Sequence, residues 1–172
     1  MPAGRGRARR TGPRSPDPVE FRRRSNVWRQ EVTDPMTRAQ FVAFVRAAGQ
    51  GVVATVDVRG NPEAALVGLA VTDEAEVIFD SLTETRKVRN IRAHPRIALV
   101  VGWDSGVSVQ VEGAADVVSG AERDRYGEIY LSQFPGARAL ADEFSIVRVV
   151  PHWLRYYDAR PGSALVVESE CW

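Results

Sequence analysis

The spacing of apolar residues changes along the chain, and the changes mark the elements. Phe41, Phe44, Val45 and Ala48 recur at helical spacing behind Thr37 and Gln40, which stand three apart in a capping-box pattern. They predict a helix that ends at Gly49 and Gly51. The spacing then becomes that of strands. Val52–Val58 is an apolar run closed by Arg59-Gly60-Asn61-Pro62, a strong hairpin turn. Ala64–Val71 returns, Thr72-Asp73-Glu74 turns again, and Glu76–Asp80 follows, so the three runs predict an antiparallel meander.

Thr83 stands as the cap of a short helix that buries Val88 and Ile91 and stops at Pro95. Arg96–Trp103 is apolar at nearly every residue and reads as a strand buried on both faces. Val107–Val118 alternates, with Gly113 placed as a bulge. Ser119 and Glu122 repeat the capping pattern ahead of a helix carrying Tyr126, Ile129 and Tyr130. A second short helix is expected over 137–143. Phe144–Val150 and Ala164–Glu168 close the chain as strands, with Trp153–Tyr157 extended between them. Many short antiparallel strands with few helices predict a mainly β fold, a closed barrel of about six strands with flanking helices. A parallel dinucleotide-binding sheet is disfavoured, because no glycine-rich fingerprint follows the first strand.

Charge divides the chain. Residues 1–34 hold nine Arg against four acidic side chains, whereas the whole chain of 172 residues has a net charge of only +1. That first segment is rich in Arg, Pro and Gly and poor in apolar periodicity, so it is expected to be a disordered arm, with the folded domain spanning 35–172. An arginine-rich run by itself is weak evidence for nucleic-acid binding, so a solvated tail is expected rather than a nucleic-acid contact. No apolar run has the length of a membrane span, and no apolar stretch follows the basic start as in a secretory signal. A single cysteine, Cys171, forms no internal disulfide and fits a reducing compartment; the expectation is a cytoplasmic protein without membrane partners.

The sharpest chemical feature is Ser81-Leu-Thr-Glu-Thr-Arg-Lys87, which joins a strand end to a helix start. Free amides and the dipole at a helix N-terminus attract anions. Ser81, Thr83 and Thr85 add hydroxyls, Arg86 a planar fork and Lys87 a point charge. Of 23 Lys and Arg residues Lys87 is the only lysine. His94 and His152 each stand alone without a partner at metal-ligand spacing, so no metal is expected. No side chain stands out as a catalytic acid or base.

The run from Phe79 to Trp103, followed by Val109-Gln-Val-Glu-Gly113, resembles the pyridoxamine 5′-phosphate oxidase family over residues 40–168. Asp80-Ser81 match a Tyr-Thr pair of that family, Thr85-Arg86-Lys87 its Ser-Arg-Lys triplet, and His94-Pro95 its Asn-Pro. The resemblance implies a split β-barrel and a homodimer with cofactor sites at the subunit interface. It also implies FMN, its phosphate held at Thr85, Arg86 and Lys87. Asp80 and Ser81 at the strand end, the backbone of Leu66, Val67 and Gly68, and Ser108 complete the implied cofactor contacts. The departures are specific. Ala65 and Ala70 stand where the family carries an Arg and a Lys, Ser108 where it has a Gln, Gln110 where it has an Arg, and its terminal Arg-Leu-His motif has no match. They point to a divergent member with an unassigned small-molecule substrate rather than a pyridoxamine phosphate oxidase. A flavin-dependent oxidoreductase is therefore expected. The alternatives are a reductase using the deazaflavin coenzyme, or a flavin-binding or sensing protein without turnover.

Overall fold

Thr37 caps the first helix as its spacing predicts. Its hydroxyl accepts from the Gln40 amide at 3.3 Å while the Gln40 side chain accepts from the Thr37 amide at 2.8 Å. In the computed structural model, which describes residues 35–162 and 165–172, helix α1 spans Arg38–Ala48 and ends at Gly49, whose φ of 63° is left-handed. The Arg-rich segment 1–34 lies outside the described residues. Phe41, Val42 and Val45 form the buried face of α1.

The strands that follow are β1 (Gln50–Val56), β2 (Pro62–Gly68), β3 (Ala70–Val71) and β4 (Val77–Leu82). After helix α2 (Arg86–Ala93) come β5 (Arg96–Val101), β6 (Val107–Val117), helix α3 (Gly120–Gln133), β7 (Phe144–Asp158) and β8 (Leu165–Glu170). The described residues thus hold eight strands, against about six expected, and all pair antiparallel in one sheet. The hydrogen-bonded order is β2-β1-β5-β6-β7-β4-β3, and β8 pairs the second half of β7. The two ends of this order, β2 and β3, are one stretch of chain interrupted at Leu69. The sheet therefore curls back on itself as a split barrel.

Leu69 also corrects the expected meander. Pro62–Gly68 pairs with β1, but Ala70–Val71 pairs with β4, so one apolar run serves both ends of the sheet. Leu69 is buried in the core, and its amide donates to the Gly49 carbonyl at 3.0 Å. The hairpin turn is as expected. The Asp57 carboxylate accepts from the amides of Arg59 and Asn61, and Gly60 takes a φ of 84°. Gly113 marks the register shift between β6 and β7, where a Cβ would meet the Val150 carbonyl oxygen at 2.7 Å.

Three other expectations change. β5 alternates instead of being buried on both faces: Ile97, Leu99 and Val101 enter the core, while Ala98 and Val100 are exposed in the single chain. Ser119 sits at the N-cap of α3 without a side-chain cap bond, and Glu122 instead lies 3.8 Å from Arg148. Residues 137–143 form successive three-residue turns, Ala137 to Phe134 and Ala141 to Arg138, rather than a helix.

The barrel interior is filled by residues such as Phe41, Val53, Phe79, Leu99, Val111, Val147 and Leu154. A second apolar cluster lies outside the sheet, where Tyr126 and Tyr130 of α3 cover Ala70, Ile78 and Ile146. Cys171 packs against the main core, and burial first, then the charge of Glu170, pushes its thiol up to about 11.

Candidate cofactor-binding site

β4 delivers Ser81 to the entrance of α2, and the chain turns there before the helix starts. The Thr85 amide donates to the Leu82 carbonyl at 3.1 Å, and Thr85, not Thr83, is the N-cap residue. Thr83 is drawn the other way: its amide donates to the Glu143 carbonyl, and its hydroxyl lies 2.9 Å from that of Ser145. The expected cap thus ties the turn to β7, and the helix begins two residues later.

Ser81, Thr85 and Lys87 come together. The hydroxyls of Ser81 and Thr85 are 2.9 Å apart, and Lys87 Nζ donates to Ser81 Oγ at 3.3 Å. Thr85 Oγ1 also donates to the Leu82 carbonyl at 2.9 Å, so the side chain does not cap the helix. The α2 amides are left free of a side-chain acceptor, beside an ammonium and two hydroxyls. Such a donor set fits a phosphate, which supplies acceptor oxygens and negative charge.

Three residues that sequence reasoning missed lie beside this cradle. Asn90, buried on α2, donates to Thr55 Oγ1 at 3.0 Å and to Glu63 Oε2 at 3.1 Å. Arg86 Nε stands 3.8 Å from the same Glu63 oxygen. A sequence signal did exist: Thr55 interrupts an apolar strand, and Asn90 falls between Val88 and Ile91, the residues expected to be buried.

The other candidate residues divide between two faces. Alternation along β4 sends Phe79 and Ser81 toward the barrel interior and Ile78 and Asp80 toward α3. Asp80 therefore does not join Ser81; it lies beside Tyr130. Burial first, then the Asp80 carboxylate, holds the Tyr130 hydroxyl well above the ordinary phenol range. Gly68 belongs to the same neighbourhood, since a Cβ there would stand 2.6 Å from the Tyr130 hydroxyl. On β2, Val67 packs against the core, whereas Leu66 on the opposite face is 59% exposed. Ser108 lies on β6 and pairs with Tyr157 near the far end of β7, whereas Ser81 pairs with Ser145 near its start. Within one chain it does not meet the cradle.

Two cavities lie elsewhere. One of about 550 Å³ opens between α1 and the β7–β8 pair, lined by Met36, Phe44, Tyr156 and Val167 among others. Another of about 420 Å³ lies between α2 and the start of α3. Ser81, Thr85 and Lys87 line neither of these cavities.

Comparison with known proteins identifies the family. A family model described as pyridoxamine 5′-phosphate oxidase matches residues 37–158, more than half of the chain. The chain belongs to the pyridoxamine 5′-phosphate oxidase family. The matched span starts at the cap of α1 and ends with β7, so it contains the cradle whole. A pyridoxine/pyridoxamine 5′-phosphate oxidase of Azorhizobium caulinodans is 41% identical over 75 residues, which is 43% of this chain and 35% of that protein. The chain thus spans about a third of the length of that curated relative. Among solved structures, a heme-binding protein from Mycobacterium smegmatis superposes with a TM-score of 0.65 at 17% identity, covering 81% of this chain and 60% of that one. A pyridoxamine 5′-phosphate oxidase-related, FMN-binding protein from Nostoc punctiforme superposes with a TM-score of 0.51 at 13% identity, over 78% and 94%. At these identities the two superpositions show a shared fold, the split barrel. Ala70 is fully buried in the cluster under α3, and Ala65 packs against the barrel core.

Proposed function

We propose that this chain is a flavin-dependent oxidoreductase that binds FMN as a homodimer and acts on a substrate other than pyridoxamine phosphate. The observation that carries the reading is the cluster of Ser81, Thr85 and Lys87 around the free amides of α2. It is a donor set suited to the flavin phosphate, with Arg86 at its rim. FMN when bound supplies hydride or electron transfer. The chain's own part is to hold the phosphate and to offer the backbone of Leu66, Val67 and Gly68 to the ring. No residue is assigned to proton transfer.

The homodimer reading rests on the outer face of β2, β1 and β5. Leu66, Val52 and Val100 lie side by side there, as do Ala64, Ala54 and Ala98 one row along. Leu66 is 59% and Val100 36% exposed in the single chain. Burying such a row favours association, and a second chain would give the cradle its other wall. Ser108 of one protomer would then belong to the site of the other. No helix among the described residues is long and apolar enough to cross a membrane, and we take the protein to be cytoplasmic on the strength of its single cysteine.

The mass spectrum of the ligand released from purified protein tests the reading. FMN is the expected result. A deazaflavin coenzyme would keep the redox class and change the cofactor, whereas heme would sink the flavin assignment. Bleaching of a yellow protein by a reductant and recolouring in air would show redox competence; a flavin that cannot be reduced in place would leave only a binding role.

A further inference from the structure

Glu63 places a negative charge against the cradle described above. It is the second residue of β2, and its side chain is only 20% exposed. Asn90, itself buried, holds one carboxylate oxygen from below and is in turn anchored on Thr55. An amide orients this carboxylate without neutralising it. The opposite charge comes from Arg86, whose Nε is 3.8 Å away. That contact is single and long, and the Arg86 side chain is 59% exposed. It lacks the bidentate geometry that makes an arginine–carboxylate pair strong, so Arg86 separates readily. Lys87 has no carboxylate within 4.0 Å among the described residues; its partner is the Ser81 hydroxyl.

The cradle therefore offers a phosphate the cations Arg86 and Lys87, with the carboxylate of Glu63 held against Arg86. A phosphate monoester carries about −1.5 to −2 charge at neutral pH. Ala65 and Ala70 add no cation from the strand. For Arg86 to face the phosphate it must leave Glu63, and Glu63 cannot follow or withdraw while Asn90 holds it.

We propose that Glu63 is an internal counter-ion that competes with the ligand's phosphate for Arg86, so that this site takes up and releases its flavin instead of retaining it. The inference rests on the reading of the cradle as the flavin-phosphate site and assigns Glu63 the role of tuning it. Its functional meaning is that the flavin behaves as an exchangeable ligand.

The test compares the parent with Glu63→Gln, which keeps an acceptor for Asn90 and removes the charge. FMN and riboflavin are titrated by flavin fluorescence, and release is followed by stopped flow. Glu63→Gln should bind FMN about three- to tenfold more tightly, mainly through slower release, with riboflavin unchanged. Glu63→Asp, which keeps the charge, should show no tightening. Thermal melts check folding, and Glu63→Ala serves as the uncharged variant if Gln does not fold. FMN affinity unchanged or weakened by loss of the charge would overturn the role of Glu63 and leave the flavin site standing. Equal tightening of FMN and riboflavin would overturn it too, because the effect would not run through the phosphate. If the parent and every variant bind FMN no better than riboflavin, the phosphate site itself is wrong and the proposal falls with it.

Discussion

Lys87 Nζ donates to the hydroxyl of Ser81, six residues back across the turn between β4 and α2. This contact brings the chain's only lysine to a strand end and places its charge over the first turn of the helix. The hydroxyl is a weak partner for an ammonium, which therefore stays available to an anion.

Lys87→Ala should consequently weaken FMN binding far more than folding. Loss of one charge-assisted hydrogen bond costs about 1.5–3 kcal/mol, equivalent to roughly ten- to hundredfold in affinity. Riboflavin, lacking the phosphate, should bind parent and variant alike. Fluorescence titration with both ligands checks this, and an equal loss for riboflavin would refute the phosphate contact.

Asn90→Leu should destabilise the fold by about 1–3 kcal/mol, because Thr55, buried at 2% exposure, would lose the donor that its hydroxyl meets. Urea unfolding of the unliganded protein measures it. A variant as stable as the parent would show that the Thr55–Asn90–Glu63 link does not support the barrel end.

Val100→Glu tests the outer face. In a homodimer built on Leu66, Val52 and Val100, a charge in this row has no partner and should drive the protein to a monomer of 19.0 kDa by light scattering. A parent that is already monomeric at micromolar concentration would contradict the dimer. A variant that stays dimeric would place the interface on another face.

Acid should release the end of β7. Arg160 hydrogen-bonds Asp158 through its side chain and its backbone amide, and these contacts hold the carboxyl at about 2. A carboxyl in the unfolded chain titrates near about 3.9. The folded value is the lower one, so the pair stabilises the protein above about pH 4 and loses that contribution as the pH falls through about 2. The parent should melt higher than Asp158→Asn at neutral pH, and the gap should narrow between about pH 4 and pH 2. A gap that stays constant over this range would show that the carboxylate charge is not what matters.

Much of the architecture was legible in the sequence because it depends on local chemistry. The Thr37–Gln40 cap, the Asp57–Asn61 turn and the bulge at Gly113 each follow from what neighbouring residues do to one another. The mainly β class follows from alternation over short runs. Ser81, Thr85 and Lys87 were legible as a group because they lie within seven residues, close whatever the rest of the chain does.

Tertiary structure decided the rest, and the reasons are physical. Leu69 divides one apolar run between two ends of the sheet, a choice made by which edges are left to pair, not by propensity. Thr83 lost its cap to Ser145, 62 residues away, and Glu122 turned to Arg148 for the same reason: a distant partner outcompetes a local bond of similar strength. The pleat separates Asp80 from Ser81, since adjacent residues of a strand face opposite ways. Glu63 entered the cradle only because the pairing of β1 with β2 sets it opposite Thr55, where Asn90 reaches both. Its charge was visible in the sequence, but the neighbour that gives the charge a role lies 27 residues along the chain, and only folding brings the two together.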